Sequence, residues 1–239
     1  MIVDIHTHLL YGLDDGPKTL EATIEMARTF VATGTHAVFV TPHAYSRLYH
    51  ADAPTIVERA ADLQRELNRL SIPLLLRPGM EVHKHAQLVD HLLSGEALNP
   101  GGGKQVNAVL LELSTREWPS DLLDVLYELR IRHIVPIIAH PERYLKLQKD
   151  PGYAEQLVKE GARLQITAGA ITGQMGRLQE KLCRNWLRQG WIHYVASDAH
   201  DSVMRKPGLR DAYERIRHEW ALSEQADACI ARAHALWLQ

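Results

Sequence analysis

Six apolar runs rich in Val, Ile and Leu punctuate the chain: IVDI (2–5), HAVFV (36–40), PLLLRPGM (73–80), VNAVLL (106–111), HIVPIIA (133–139) and IHYVAS (192–197). They lack polar alternation, so they read as strands buried on both faces, the condition of a parallel sheet covered by helices. RLQITAGA (163–170) adds a seventh strand. Helical patterns lie between them. Residues 19–33 place Leu20, Ile24, Ala27 and Val31 on one face and stop at Gly34, the expected glycine end of a helix. Segments 54–70 and 119–130 each begin with proline, which fits the first helical turn. Further helices are predicted at 85–93, 153–160, 174–189, 209–220 and 223–238. Seven strands, each followed by a helix, fall one short of the eight-stranded barrel. The pattern therefore predicts an α/β fold, a distorted (βα)7 barrel, in one domain over residues 1–239. Gly101-Gly102-Gly103 lacks the downstream Lys-Ser/Thr of a phosphate loop and reads as a surface turn.

Composition narrows the class. With 239 residues, 46% hydrophobic content and a net charge of -2, the chain can bury one large core. It has no basic surplus for tracking nucleic-acid phosphates. MIVDIHTH enters a strand at once, without a charged leader, and no apolar stretch approaches the ~18 residues of a membrane span. A cytoplasmic protein without membrane insertion is the expectation. Cys183 and Cys229 fall within helical patterns, which argues for buried thiols and against a disulfide framework.

The residues just past the strands carry the chemistry. His6, His8, His43, Glu81, Glu112, His140, Asp198 and His200 all follow apolar runs, and Asp14-Asp15-Gly16 lies near the first pair. In parallel sheets ligands gather beyond the carboxyl ends of the strands, so these side chains converge although they span most of the chain. A single histidine at a strand end is commonly a satisfied polar residue. His6-x-His8 is stronger, because side chains two apart on an extended segment share a face and reach one ion. Asp198-x-His200 repeats that spacing, and together with the others it describes a metal cluster. His36, His133 and His193 begin strands on the opposite rim, and His218 and His234 sit on helices; all five read as structural or solvated. His50, His83, His85 and His91 stay open, with His83 able to line the site because it follows Glu81 at two-residue spacing.

The order H-x-H, D-D-G, T-P-H, G-x-E, A-H-P-E-R-Y and A-S-D-x-H resembles the polymerase and histidinol phosphatase (PHP) superfamily. MIVDIHTHLLYGLDDGPKTLEATIEMA, VTPHA, IIAHPERY, LQITAGAITG and HYVASDAH resemble its bacterial protein-tyrosine phosphatase branch, associated with capsular and exopolysaccharide synthesis. The resemblance runs from Met1 to about Tyr213; H-x-H alone is weak, since amidohydrolases share it, while D-D-G-P-K and H-P-E-R-Y are specific. It implies three divalent ions, typically manganese, with iron or zinc as alternatives that His/carboxylate ligands also suit. By match, His6, His8, Glu81 and Asp198 would hold the first ion. A bridging Glu81, Glu112 and His140 would hold the second, and His43, His200 and an aspartate of the D-D-G turn the third. Asp15 is favoured over Asp14, because Asp-Gly is the dipeptide that recurs in the family. Arg143 and Arg205 match the family's phosphate-binding arginines. Two departures stand out: Asp201 where asparagine is expected, and a C-terminal IARAHALWLQ without the usual Asn-Pro block.

The implied chemistry is phosphoryl transfer. Three divalent ions against Glu81, Glu112, Asp198 and one aspartate leave a positive excess that suits hydroxide and a phosphate dianion. Metals lower the pKa of bound water from about 16 towards 7 and hold both the attacking and leaving oxygens, while arginine grips phosphoryl oxygens bidentately. A phenolate leaving group, pKa about 10, favours aryl esters. A cysteine phosphatase needs five residues between its thiolate and an arginine. Here the residues six beyond Cys183 and Cys229 are Gln189 and Ala235. The leading expectation is a metal-dependent protein-tyrosine phosphatase that uses a metal-bound hydroxide on the tail of a bacterial tyrosine kinase. The alternatives are a phosphatase of a small phosphomonoester such as histidinol phosphate, and a non-catalytic metal-dependent regulatory protein. The motifs leave the oligomeric state open.

Overall fold

The computed structural model describes residues 1–99 and 107–239; the predicted Gly101-Gly102-Gly103 turn lies outside them. All strand pairs are parallel. The strands are β1 (Ile2–Thr7), β2 (Thr35–Val40), β3 (His43–Ala44), β4 (Leu75–Pro78), β5 (Glu81–His83), β6 (Ala108–Glu112), β7 (Val135–Ala139), β8 (Arg163–Thr167) and β9 (Ile192–Ala196). β1-β2-β4 forms one sheet and β3-β5-β6-β7-β8-β9 the other.

These nine segments are seven strands, two of them interrupted. Thr41-Pro42 separates β2 from β3, and Gly79-Met80 separates β4 from β5. Proline has no N–H for the ladder, and across the breaks the chains stay joined by Gly79 N to Val40 O at 3.0 Å and Glu81 N to Pro42 O at 3.1 Å. Closure comes from a Thr7–Ala199 bridge, with His8 N donating to Ala199 O at 2.9 Å and Asp198 N to His6 O at 3.0 Å. The result is a distorted (βα)7 barrel.

Alternate strand residues feed two cores. Val38, Val40, Val109, Leu111, Ile138, Leu164, Ile166 and Val195 pack on the surrounding helices. Phe39, Leu110, Ile137, Ala139, Tyr194 and Ala196 gather with one another and with Ala233, Leu236 and Trp237. Those last three belong to the C-terminal helix Ser223–Trp237. Its Trp237 meets Phe39 edge-on at 5.2 Å and takes the Arg77 guanidinium over its face at 4.9 Å. The atypical C-terminus therefore supplies its own aromatic plug. Continuing the inner positions two residues along β6 and past β9 leads from Leu110 to Glu112 and from Ala196 to Asp198, so core and site share one face of each strand.

Helices α1 (Leu20–Ala32), α2 (Ala53–Arg69), α3 (Leu88–Ser94), α4 (Leu122–Ile131), α5 (Leu145–Lys149), α6 (Tyr153–Lys159), α7 (Ala168–Ile171) and α8 (Arg177–Arg188) surround the barrel, followed by α9 (Leu209–Glu214) and α10, the helix at Ser223–Trp237. Several boundaries differ from the sequence expectation. In α1 the fully buried face is Thr23, Met26, Ala27 and Phe30, rotated from the predicted stripe, because Leu20, Ile24 and Val31 pack only at its edge. Pro119 precedes α4, which starts at Leu122. The 163–170 strand ends at Thr167, whose hydroxyl accepts from Ala170 N and caps α7 instead. Residues 215–219, predicted as plain helix, form a π-turn.

Candidate metal centre

Register places the first ligands side by side. His43 pairs with Glu81, and His83 with Glu112, across neighbouring parallel strands. Backbone strain places two more. His140, at φ 34°, and Asp198, at φ 53°, both adopt left-handed conformations at strand ends, a cost of about 1–3 kcal/mol each that persists where the surroundings fix it. Gly16 is required for a different reason: a methyl group there would collide with the carbonyl oxygen of His8, so only glycine lets the D-D-G turn close over His8.

The donors form a cage around a common point. His6 Nε2 and His8 Nε2 lie 3.1 Å apart. Glu81 Oε2 is 3.2 and 3.3 Å from them, and Asp198 Oδ1 is 3.4 and 3.3 Å. An ion bound at about 2.0–2.1 Å in tetrahedral geometry spaces its donors about 3.3–3.4 Å apart, so these distances match the edges of a coordination shell. Beside it, His140 Nε2 is 2.9 Å from Glu81 Oε1 and 3.8 Å from Glu112 Oε1. Asp15 Oδ1 is 3.2 Å from His200 Nε2 and 3.5 Å from His43 Nε2. Three overlapping groups could each hold an ion: His8, Asp15, His43 and His200; His6, His8 and Glu81; and His43, Glu81 and Glu112. His8 and His43 thus each serve two groups, a sharing that spacing alone does not reveal. All nine predicted ligands come together.

The model for capsular polysaccharide synthesis proteins of the CpsB/CapC type matches residues 2–235. The chain belongs to the CpsB/CapC family. It is 30% identical over 219 residues to the tyrosine-protein phosphatase YwqE of Bacillus subtilis, covering 92% of this chain and 85% of that protein. To the tyrosine-protein phosphatase CpsB of Streptococcus agalactiae serotype III it is 24% identical over 240 residues, 98% of each. A solved structure from work on YwqE of B. subtilis and CpsB of Streptococcus pneumoniae, described as unique metal-dependent tyrosine phosphatases, superposes with a TM-score of 0.88 at 29% identity. It covers 97% of this chain and 95% of that one. The histidinol phosphate phosphatase of Lactococcus lactis shares the fold alone, at a TM-score of 0.53 and 11% identity.

Electrostatics in this CpsB/CapC member fit cation binding. Burial opposes the charge on Glu81, but His6, His43 and His140 overcome it and hold the carboxyl well below its usual range. Burial likewise opposes Asp198, and Arg143, His6 and Arg205 prevail. Burial pulls the His6 imidazole down, yet Glu81 and Asp198 leave it raised. A divalent ion held by these donors would take the place of the imidazole protons. Buried His43 Nδ1, Glu81 Oε2 and His200 Nε2 lie without a well-directed hydrogen bond, another sign that the donor set suits a cation.

Surrounding residues hold the ligands in place. Gln165 Oε1 accepts from His6 Nδ1 at 2.9 Å, and Asp14 Oδ2 meets His8 Nδ1 at 2.6 Å. Each contact aims the opposite ring nitrogen at the cage, the usual support of a metal-bound histidine. Tyr144 donates to Ala139 O at 2.8 Å and accepts from Leu113 N at 3.0 Å, bracing the strands that carry Glu112 and His140. Buried Glu142 accepts from Thr167 Oγ1 at 2.6 Å and fixes the turn holding Arg143. The two arginines converge on Asp198 Oδ2, Arg143 at 2.5 Å and Arg205 at 2.8 Å, so Asp198 faces the cage with one oxygen and the guanidinium pair with the other. Asp201 accepts from the backbone N–H groups of Val203, Met204 and Arg205 and so shapes the Arg205 loop.

The open histidines divide. His83 Nδ1 lies 3.1 Å from Glu112 Oε2 at the edge of the cluster. His85 and His91 bond each other at 2.9 Å and stack with Tyr45, while His50 is exposed. His193, on the far rim, is buried and accepts from Leu164 N.

Proposed function

We propose that this chain is a metal-dependent protein-tyrosine phosphatase, with residues 1–239 acting as one domain. The observation that carries the reading is the cluster of histidine and carboxylate donors, whose His43 and Glu112 line a cavity with an aromatic wall. That cavity, of about 510 Å³, is lined by His43, Tyr49, His83 and Glu112 among others, and the Tyr49 ring stacks on His43 at 5.8 Å with an 8° interplanar angle. A phosphate at the cluster would place its phenyl ring along Tyr49. A small cationic ester such as histidinol phosphate would fill little of that space.

His6, His8, Glu81 and Asp198 would hold one ion, Glu81, Glu112 and His140 a second, and His43, His200 and Asp15 a third, manganese being the expected metal. Bound there, the ions would activate water and polarise the phosphoryl group. Arg143 and Arg205 would turn from Asp198 to the nonbridging phosphoryl oxygens, offering planar paired donors. Glu81, reaching both cage and His140, would keep two ions at fixed separation. The leaving phenolate needs little protonation compared with an alkoxide. The physiological substrate would be a phosphorylated tyrosine kinase in the cytoplasm. Among the described residues no helix is long and apolar enough to cross a membrane.

The test is turnover by manganese-reconstituted protein of a phosphotyrosine peptide beside histidinol phosphate. A kcat/KM at least ~10-fold in favour of the peptide is expected. Preference for histidinol phosphate would overturn the reading, and turnover of neither would favour a regulatory protein.

A further inference from the structure

The cavity beside the cluster has a rim as well as a floor. Its inner end is His43, His83 and Glu112, and its outer end carries Arg47, Leu48, Arg116 and Glu117. Arg47 and Arg116 are exposed, and neither makes an ion pair or hydrogen bond among the described residues. Several other arginines on this surface are paired, among them Arg69 with Glu66, Arg130 with Glu160, Arg215 with Glu180 and Arg217 with Asp227, whereas Arg47 and Arg116 share one cavity mouth. Two unpaired guanidiniums on one cavity mouth, against the single carboxylate of Glu117, leave a net positive rim in a chain whose net charge is -2.

The loops that carry them are braced. Arg47 sits at the tip of a turn in which Ser46 Oγ accepts from Tyr49 N at 2.9 Å and Ser46 N donates to Tyr49 O at 3.2 Å. Tyr45, at the base of that turn, is held in a left-handed conformation by stacking on His85 and His91. Arg116 follows Thr115, whose carbonyl accepts from Leu145 N at 3.1 Å, and precedes Glu117, whose N–H donates to Ser114 Oγ at 3.1 Å. Side chains on fixed loops select a partner with less ordering cost than side chains on loose ones.

Resting on the phosphatase reading above, we propose that Arg47 and Arg116 form a subsite for anionic residues flanking the phosphotyrosine, so that the enzyme selects peptides with negative charge beside the scissile ester. Arginine binds a carboxylate or a second phosphate in the same paired fashion, and Leu48, 79% exposed between them and Tyr49, offers an apolar edge to the peptide.

The test uses manganese-reconstituted full-length protein and four phosphotyrosine peptides differing only in their flanks: glutamate, glutamine, lysine, or a second phosphotyrosine. Rim pairs of ordinary surface strength, gained with glutamate and turned to repulsion with lysine, amount to a kcat/KM ratio of about tenfold. The ratio should shrink towards unity as salt rises, a readout that needs no variant. R47E/R116E should invert the preference, with an unchanged melting temperature showing that the exposed substitutions leave the fold intact. If glutamate is preferred and the second phosphotyrosine is not, the subsite takes carboxylates; the reverse makes it a phosphate site. Equal turnover of glutamate and lysine peptides, or a ratio that survives both salt and R47E/R116E, would overturn the subsite while leaving the phosphatase reading intact. Absence of turnover on all four peptides would instead sink the phosphatase reading, and the subsite with it.

Discussion

Asp14 Oδ2 lies 2.6 Å from His8 Nδ1 and also accepts from His43 N at 3.0 Å, so one buried carboxylate positions two candidate ligands without facing the cage itself. Its neighbour Asp15 points the other way, to His43 and His200. The adjacent aspartates therefore divide the work: Asp15 stands among the donors and Asp14 behind them.

That division predicts different losses. Asp14→Asn should weaken metal affinity by ~10- to 100-fold, the usual cost of losing a carboxylate behind a ligating histidine, with activity recovered at high manganese. Asp15→Ala should lower the number of bound ions by one, and added manganese should not restore turnover. Metal titration with kinetics separates them; an Asp14→Asn protein that has lost an ion outright would reverse the assignment.

Gly16→Ala tests the turn itself. A side chain there meets the backbone carbonyl of His8 first and the Asp14 carboxylate next, so relief requires the D-D-G turn to shift and takes Asp14 and Asp15 with it. The expected result is folded protein with at least ~10-fold lower activity at limiting manganese. Wild-type metal affinity in this variant would show that the turn is pliant.

Chelation should lower the melting temperature of the reconstituted protein, because ions bound only by the folded state add stability by mass action, and their removal leaves Glu81 and Glu112 together in one donor group. Elemental analysis should return two to three equivalents of a first-row metal. Less than one equivalent after reconstitution would contradict a multi-ion centre.

Much of this was legible in the sequence because strand ends of a parallel barrel converge, so residues from His6 to His200 needed only the apolar runs before them to be placed together. The interrupted strands were less so: Thr41-Pro42 and Gly79-Met80 break the ladder, yet the hydrophobic pattern does not mark either break. The motifs include Gln165 and Asp14 without showing that they stand behind His6 and His8, since a supporting hydrogen bond depends on the three-dimensional partner. The positive φ of His140 and Asp198 has no local cause in the sequence; it comes from the site. Arg47 and Arg116 stand out by sharing one cavity mouth, which spacing cannot disclose.

His193 should limit stability in acid. Burial, then Arg163 and Arg232, push its imidazole down to about 4, whereas the unfolded histidine titrates near 6.5. Between those values the unfolded state binds more protons, so stability falls as pH drops from about 6.5 and the loss is complete below about 4, amounting to ~3 kcal/mol. His193→Asn keeps an acceptor for Leu164 N but cannot titrate. With both proteins metal-free in chelator, the parent's urea midpoint should fall more steeply than the variant's between about pH 6.5 and 4; parallel curves would remove His193 from the account.

The thiols separate this centre from a cysteine enzyme. Burial pushes Cys229 up to about 12 and Cys183 well above its ordinary value, so neither offers a thiolate at neutral pH. Changing both to Ser should leave turnover within a few-fold of the parent, and alkylating reagents should leave the folded protein active. Glu81→Ala should abolish turnover, and more completely than His6→Ala, because Glu81 Oε2 faces His6 and His8 while Oε1 faces His140. Its loss removes a donor from two adjoining positions, whereas His6 serves one. A phosphocysteine trapped during turnover, or inactivation by alkylation at constant metal content, would make the metal cluster a structural feature and move the chemistry elsewhere.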